Sequence, residues 1–560
     1  MDFTSNESLR LLETASGGLS LKTVEYKGRL LYSKYNPSRA VVSLIQKTQI
    51  LPGTLVLVNS PCLFYGLAEL AEKAHGCRIL ALEAEKPLLT LAETVLSNLP
   101  EKDSVHLHDA TDFPGLDALL RDYVKNGSIR RVLPLDFSAG TAFAPKVYQK
   151  IFEAAAEITG SFWKNRITIV KMGRLFTKNI FTNLLESAKA NYLSDAKGIT
   201  DKPIVVFGAG ESIDETCSNK DFFTAAQQGK FFILAVDAAL ASLLDRGLHV
   251  DAVVGMESQF AIQKAYLGAR GSGITYFADL CSRPQIPHIL SGQVFWYTSA
   301  FSDTAFIPEI QNQHCLPDLI PPLGSVGLTA VYIALVLRKN QSVPVYLTGL
   351  DFSYSIGKTH AKGTPAHKGR LIETKRLLPV ENYDAAYSPA AFKATGKDGK
   401  EIVSTKILST YARTLSEQFF GVKSLFDASN SGLPLAFEKA PENWAVFSEK
   451  STWKDFRNVP LHPERIDAAE KWYENEQESL KRLRSLLSEG DSSQYRNQYT
   501  TLEEQVKNLL STRDYLFLHF PDGYALSMEE NFLKRVRAEI DVFLKIISKK
   551  KAGNHPTVSL

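Results

Sequence analysis

Residues 204–214, IVVFGAGESID, set an apolar run against a pair of glycines. Ile204 to Phe207 suit a strand buried on both faces, and Gly208 and Gly210 remove side chains where that strand ends. Strand, glycine turn and helix start in this order open a nucleotide-binding α/β unit. A dinucleotide loop would continue as G-x-G-x-x-G, and Ile213 stands where the third glycine belongs, which disfavours hydride transfer. Ser212 can offer a hydroxyl or cap the next helix, whose first amides would favour an anion such as a phosphate. A tight turn with a cap would use the same residues.

Outward from this stretch, apolar runs recur at 231–236 and 252–256 and in GITYFAD, QVFWYT and VPVYLTGLDF, alternating with helical segments. That alternation predicts a parallel sheet covered on both faces, a central Rossmann-like domain over 196–440. Upstream, KTVEYKGRLLYSKYNP reads as a hairpin around Lys27-Gly28. TLVLVNSPCLFYGLAELAEKAHGCRILALEAE then gives strand, loop, helix and a strand ending on Glu83. Further strands expected at RRVLPLDF and RITIVKM complete a smaller α/β domain over 1–195. Its loop NSPCLFYG is poor in glycine and favours a structural turn over a nucleotide site. From about 455, apolar residues recur at three, four or seven positions, as in Ile466, Ala469, Tyr473 and Leu480 and again in Phe532, Val536 and Ile540. A helical bundle over 441–560 follows, its SKKKAGNHPTVSL end read as a frayed, solvated tail.

A chain of 560 residues exceeds one hydrophobic core, so two to four units are expected. Charged residues make up 22% and the net charge is only +3, which gives no reason for a nucleic-acid partner. The five cysteines lie far apart with no C-x-x-C pair, arguing against a zinc site or disulfide framework. No targeting pattern opens the chain and no stretch reaches the ~18 apolar residues of a membrane helix, so a cytoplasmic protein without membrane insertion is expected.

Candidate site residues gather at expected strand ends. Asp237 ends the strand after the glycine loop, where ribose hydroxyls are commonly held. Glu257 follows the next strand, while Asp251 precedes it and suits a turn. A second glycine loop, PPLGSVGLTAVYIALVL, puts Gly324 and Ser325 at a helix start where an anion could approach. In VYLTGLDFSYSIGKTHAKGT, Gly349 and Asp351 follow a strand, and Tyr354, Lys358, His360 and Lys362 come from the ensuing loop. An imidazole titrates near neutral pH, which makes His360 a candidate general base.

The segments GAGESID, AVDAAL, VDAVVGMES, GSVGLTAVYIAL, YLTGLDFSYSIGKTHAKGT and STKILSTYARTLSEQF occur in the order seen in the motility-associated-factor (Maf) family of bacterial flagellin glycosyltransferases. Residues 196–440 resemble that family's central domain, which is similar to bacterial sialyltransferases and to a 6-hydroxymethylpterin diphosphokinase family. The resemblance implies transfer of a nonulosonic acid from a CMP-activated donor to serine or threonine of flagellin. It would place Gly208, Gly210 and Ser212 on the nucleotide and its phosphate and Asp237 near the ribose or base. Gly324 and Ser325 would form a second anion loop, and His360 would be the base. Two residues depart from the pattern: Glu211 replaces the proline of G-x-G-P-S, and Glu257 stands where aspartate is common.

In that reaction the acceptor hydroxyl gives its proton to the base as it attacks the anomeric carbon, and CMP leaves with its charge met by amides and hydroxyls. No D-x-D pair occurs in 196–440, so no metal or cofactor beyond the donor is called for. Two alternatives stand beside it. One is a pterin-type diphosphokinase using ATP and Mg²⁺ held by acids such as Asp237, Glu257 and Asp351. The other is a non-catalytic flagellin-binding protein.

Overall fold

The computed structural model describes residues 9–14, 21–125, 127–356, 358–379, 389–444, 462–489 and 499–552. The chain divides into two compact units, Met1–Lys171 with Phe520–Ala525, and Met172–His519 with Leu526–Leu560. Residues 553–560 of the expected tail lie outside the described residues, and its lysines fall within the helix Glu530–Ala552.

In the first unit, β1 (Leu9–Glu13), β2 (Lys22–Tyr26) and β3 (Arg29–Leu30) form an antiparallel sheet. Lys27 and Gly28 both take positive φ, 49° and 74°, as a two-residue hairpin turn of matching twist requires. A parallel sheet follows, built from β4 (Thr54–Asn59), β5 (Arg78–Glu83), β6 (Val105–Asp109) and β7 (Arg131–Asp136) in the order β6-β5-β4-β7. Every residue of β4 is buried, which explains its unbroken apolar run.

One expected strand is absent. RITIVKM lies inside the helix Pro145–Ala188. Its β-branched residues suit a strand within a seven-residue window, but the buried positions Ile151, Ala155, Arg166, Ile169, Thr177, Ile180 and Leu184 follow a helical stripe. Ile167, which a buried strand would cover, is 55% exposed.

The second unit holds a ten-stranded sheet. Its strands are β8 (Asn191–Tyr192), β9 (Ile204–Phe207), β10 (Phe232–Val236), β11 (Ala252–Gly255), β12 (Thr275–Asp279), β13 (Val294–Ser299), β14 (Leu319–Ile320), β15 (Val345–Thr348), β18 (Leu425–Asp427) and β19 (Glu438–Lys439). A separate hairpin supplies β16 (Ala391–Thr395) and β17 (Glu401–Thr405). The order is β14-β13-β12-β11-β10-β9-β15-β18-β19, with β8 also beside β13, and each pairing is parallel. The chain therefore builds outward from β9 to β14, then returns through the helix Val326–Leu337 to lay β15 on the other flank of β9. The connections after β9 and β15 diverge, and the crevice at such a switch point is where open parallel sheets bind ligands.

Helix 326–337 is apolar nearly all round because it lies over the sheet, against β9, β10, β11 and β15. The C-terminal helices Pro463–Glu489, Tyr499–Ser511 and Glu530–Ala552 belong to this unit. Phe181 gathers Trp472, Tyr515 and Phe543 around it at ring-centroid distances of 5.2, 4.8 and 4.7 Å. Arg513 grips the buried Glu476 with two nitrogens, at 3.0 and 2.7 Å. Among the described residues, no helix is long and apolar enough to cross a membrane. All five cysteines are free thiols.

Candidate functional site

The switch point is built on backbone-to-backbone contact. Gly208 donates its amide to Thr348 O and Gly210 donates to Gly349 O, both at 2.8 Å. A Cβ at Gly208 would lie 2.2 Å from Gly349 O, and one at Gly210 would lie 2.4 Å from an Asp351 carboxylate oxygen. Gly349 itself has φ of +69°, open to few other residues. The glycines are thus required by the close approach of the ends of β9 and β15.

Ser212 and Asp351 lock that approach. The Ser212 amide donates to one Asp351 oxygen at 2.8 Å, its hydroxyl donates to the other, and the hydroxyl accepts from the Gly349 amide at 2.7 Å. Both side chains are inside the fold, at 1% and 3% exposure. Burial pushes the Asp351 carboxyl up to about 6, against the pull of the Ser212 bonds and the Lys397 charge. The anion expected at this helix start is therefore Asp351 itself, and the amides of 208, 210 and 212 are spent within the protein. This corrects the reading of 208–212 as an open phosphate cradle.

The other segments converge here. Leu350 Cδ2 lies 2.6 Å from where a Cβ would stand at both Gly208 and Gly327, which joins helix 326–337 to the same edge. Thr329, one turn into that helix, donates its hydroxyl to Ser325 O at 3.2 Å and reaches Met256 Sδ at 3.3 Å, beside Glu257. Ser325 caps the helix, its hydroxyl accepting from the Gly327 amide at 3.3 Å, and Gly324 turns into it with φ of +75°. The loop carrying His360 is tied to the glycine turn by Ala361 N donating to Ala209 O at 3.0 Å. Glu211, the departure from the family pattern, accepts from the Ser355 amide and from its hydroxyl at 2.9 Å, fastening the same two loops.

His360 is half-buried with Nδ1 3.1 Å from the Thr359 hydroxyl. Burial, then the Arg370 charge, lowers its pKa below the usual 6.5, so the neutral, proton-accepting ring prevails at neutral pH. Glu257 folds onto its own turn, accepting from the Ser258 and Gln259 amides at 2.9 Å each. Asp251 accepts from the Ile233 amide at 2.7 Å, which makes it a structural brace.

Asp237 opens the helix Asp237–Asp245 and accepts from the Ala238 amide at 2.7 Å. Burial pushes its carboxyl up to about 7, with Glu257 adding repulsion. A raised folded pKa makes this group's stabilising contribution full below its usual 3.8 and lost as pH rises through about 7. Asp237→Asn is therefore expected to be more stable than the parent at pH 8, on the order of 2 kcal/mol, and no more stable at pH 4. Paired thermal melts at the two pH values check this.

Several residues of this edge had no role in the sequence reading. Asp279 ends β12 fully buried, holding the Ser299 and Cys281 amides at 3.1 and 2.8 Å. Lys397, in the turn between β16 and β17, pairs with Asp427 at 2.5 Å and Ser429 at 2.8 Å. Asn179 and Asn183, one turn apart on helix 145–188, donate to the carbonyls of Ser258 and Cys281 and of Leu280 and Ser282, at 2.9 to 3.3 Å. They brace the loops after β11 and β12. Strand-final acids in ITYFAD and SLFDAS carry the signal that singled out Asp237; the other three have no comparable signature.

A family model described as 6-hydroxymethylpterin diphosphokinase MptE-like matches residues 174–357, within the second unit. An uncharacterized protein of Treponema pallidum (strain Nichols) is 30% identical over 558 residues, 96% of this chain and 95% of its own length. The solved structure of a Maf glycosyltransferase from Magnetospirillum magneticum AMB-1 matches with a TM-score of 0.57 at 12% identity, over 98% of this chain and 92% of that one. At that identity the likeness is one of fold. The chain belongs to one family with the Treponema protein, and it carries the Maf glycosyltransferase fold with an MptE-like segment at the heart of its sheet.

Proposed function

We propose that the protein is a glycosyltransferase that moves a nonulosonic acid from a CMP-activated donor to serine or threonine of flagellin. The observation that carries this reading is the convergence of the loops after β9, β11 and β15 with the start of helix 326–337 on one switch-point edge, in a chain with the Maf glycosyltransferase fold. The phosphate of the donor would lie at the start of helix 326–337, where Gly324 and Ser325 keep side chains small and the helix dipole favours an anion. Asp237 and Glu257 would face the nucleoside. His360 would take the proton of the acceptor hydroxyl as it attacks the anomeric carbon, and CMP would depart towards the helix start. Asp351 and Ser212 would act by holding the two strand ends in place.

Intact-mass measurement of flagellin from cells with and without this protein tests the reading. Loss of one or more nonulosonic acid masses on removal is expected; an unchanged mass sinks it. The MptE-like match favours a second reading, a diphosphokinase using ATP and Mg²⁺. Thermal stabilisation by ATP with Mg²⁺, and none by CMP, would favour that alternative.

A further inference from the structure

One cation on the carboxyl edge of the large sheet has no duty in the transfer as drawn. Arg283 follows the end of β12, and its amide donates to Glu257 O at 3.0 Å, tying the loop after β12 to the loop after β11. Its half-buried guanidinium makes no hydrogen bond and no ion pair among the described residues, and Nε is shut away from water without an acceptor. The guanidinium carbon lies 5.3 Å from the ring centroid of Phe260, a side chain 68% exposed on the loop after β11. Cation–π attraction holds the fork there but meets none of its donors. A guanidinium has five donors and no acceptor, so one left unpartnered at a sheet edge calls for acceptors from outside the chain.

Glu257 supplies the complement. Its Oε1 takes the amides of Ser258 and Gln259, while its other oxygen accepts from no group among the described residues. β10, β11 and β12 are parallel neighbours, with Val236 beside Val254 and Gly255 beside Ala278, so Asp237, Glu257 and Arg283 leave one edge in that order. Strands lie ~4.8 Å apart, which puts the end of β12 roughly 10 Å from that of β10, about the length of a nucleoside. A ribose at Asp237 would thus send its base towards one acceptor and one donor fork.

We propose, resting on the transferase reading, that Arg283 and Glu257 select cytosine as the base of the bound nucleotide. The fork donates to O2 and N3, and the open Glu257 oxygen accepts from the exocyclic amino group. Among the common bases only cytosine sets an amino group beside two adjacent acceptors. Uracil turns a proton on N3 towards the fork and O4 towards the carboxylate, leaving both protein groups unmatched. Adenine offers the fork a single acceptor beside a carbon, and guanine offers it donors.

Isothermal titration of the full chain with CMP and UMP tests this. The parent is expected to bind CMP at least about tenfold more tightly than UMP. Arg283→Met keeps the apolar stem and removes the donors; it should weaken CMP about tenfold or more, change UMP by less than about threefold, and keep the parent's melting temperature. Glu257→Gln, whose amide can turn to serve either base, should narrow the preference as well. A parent that binds CMP and UMP alike, or an Arg283→Met protein that keeps the parent's preference, overturns this assignment and leaves the transferase reading standing. A parent that binds neither nucleotide at about 10 mM overturns both.

Discussion

His360→Ala is expected to lower the turnover of sugar transfer by about 10²- to 10⁴-fold, the usual worth of a positioned general base, with the melting temperature close to that of the parent. The ring is half-buried and, among the described residues, its one side-chain bond is to the neighbouring Thr359, so removing it breaks no long-range link there. The loop itself is held by the Ala361 to Ala209 bond and by Glu211 on Ser355, which the substitution leaves intact. The pH profile gives a second readout. Because burial and Arg370 lower the imidazole pKa, the acid limb of kcat/KM should fall below 6.5 and vanish in the variant. Stopped assays with purified flagellin across pH 5 to 8 check both. An acid limb that survives the substitution assigns the base to another group.

The second large effect is on stability. Gly208→Ala is expected to destabilise the second unit by about 3 kcal/mol, at the upper end of ordinary overpacking. The new Cβ would stand 2.2 Å from the carbonyl oxygen and 2.6 Å from the carbonyl carbon of Gly349, atoms of a strand end that cannot rotate away. Relief would require β9 and β15 to part, which pulls Ser212 from Asp351 and leaves a buried carboxylate short of donors. Gly247→Ala is a fitting control. That glycine meets nothing within 4 Å and has φ of +76°, so it reports backbone strain without the clash. Urea midpoints of the two variants should differ, with Gly208→Ala the less stable.

Period and run length made the central sheet legible. β9 to β13 and β15 are each buried on both faces, and each falls on an apolar run read from the chain. RITIVKM failed for the converse reason: a seven-residue window cannot separate a β-branched strand from one stretch of a 44-residue helix. At the site, the residue types were legible but their duties were not. Ser212 and Asp351 stand 139 residues apart, and nothing local announces that the carboxylate will cap the helix a phosphate was expected to meet. Lys397 reads as a turn residue in TGKDGKE until β16 and β17 bring it to Asp427. Glu211 reads only as a departure from the proline of the family loop, and the fold gives it Ser355 to hold.

In the proposed transfer, the edge formed by the ends of β9, β11 and β15 and the start of helix 326–337 would grip the activated sugar through its nucleotide. A crystal structure of the full chain with CMP tests it most directly. CMP is expected on that edge, its phosphate within hydrogen-bond reach of the backbone at 325–328 and its ribose or base towards Asp237. CMP seated elsewhere on the chain, or absent from that edge at millimolar concentration, would contradict it.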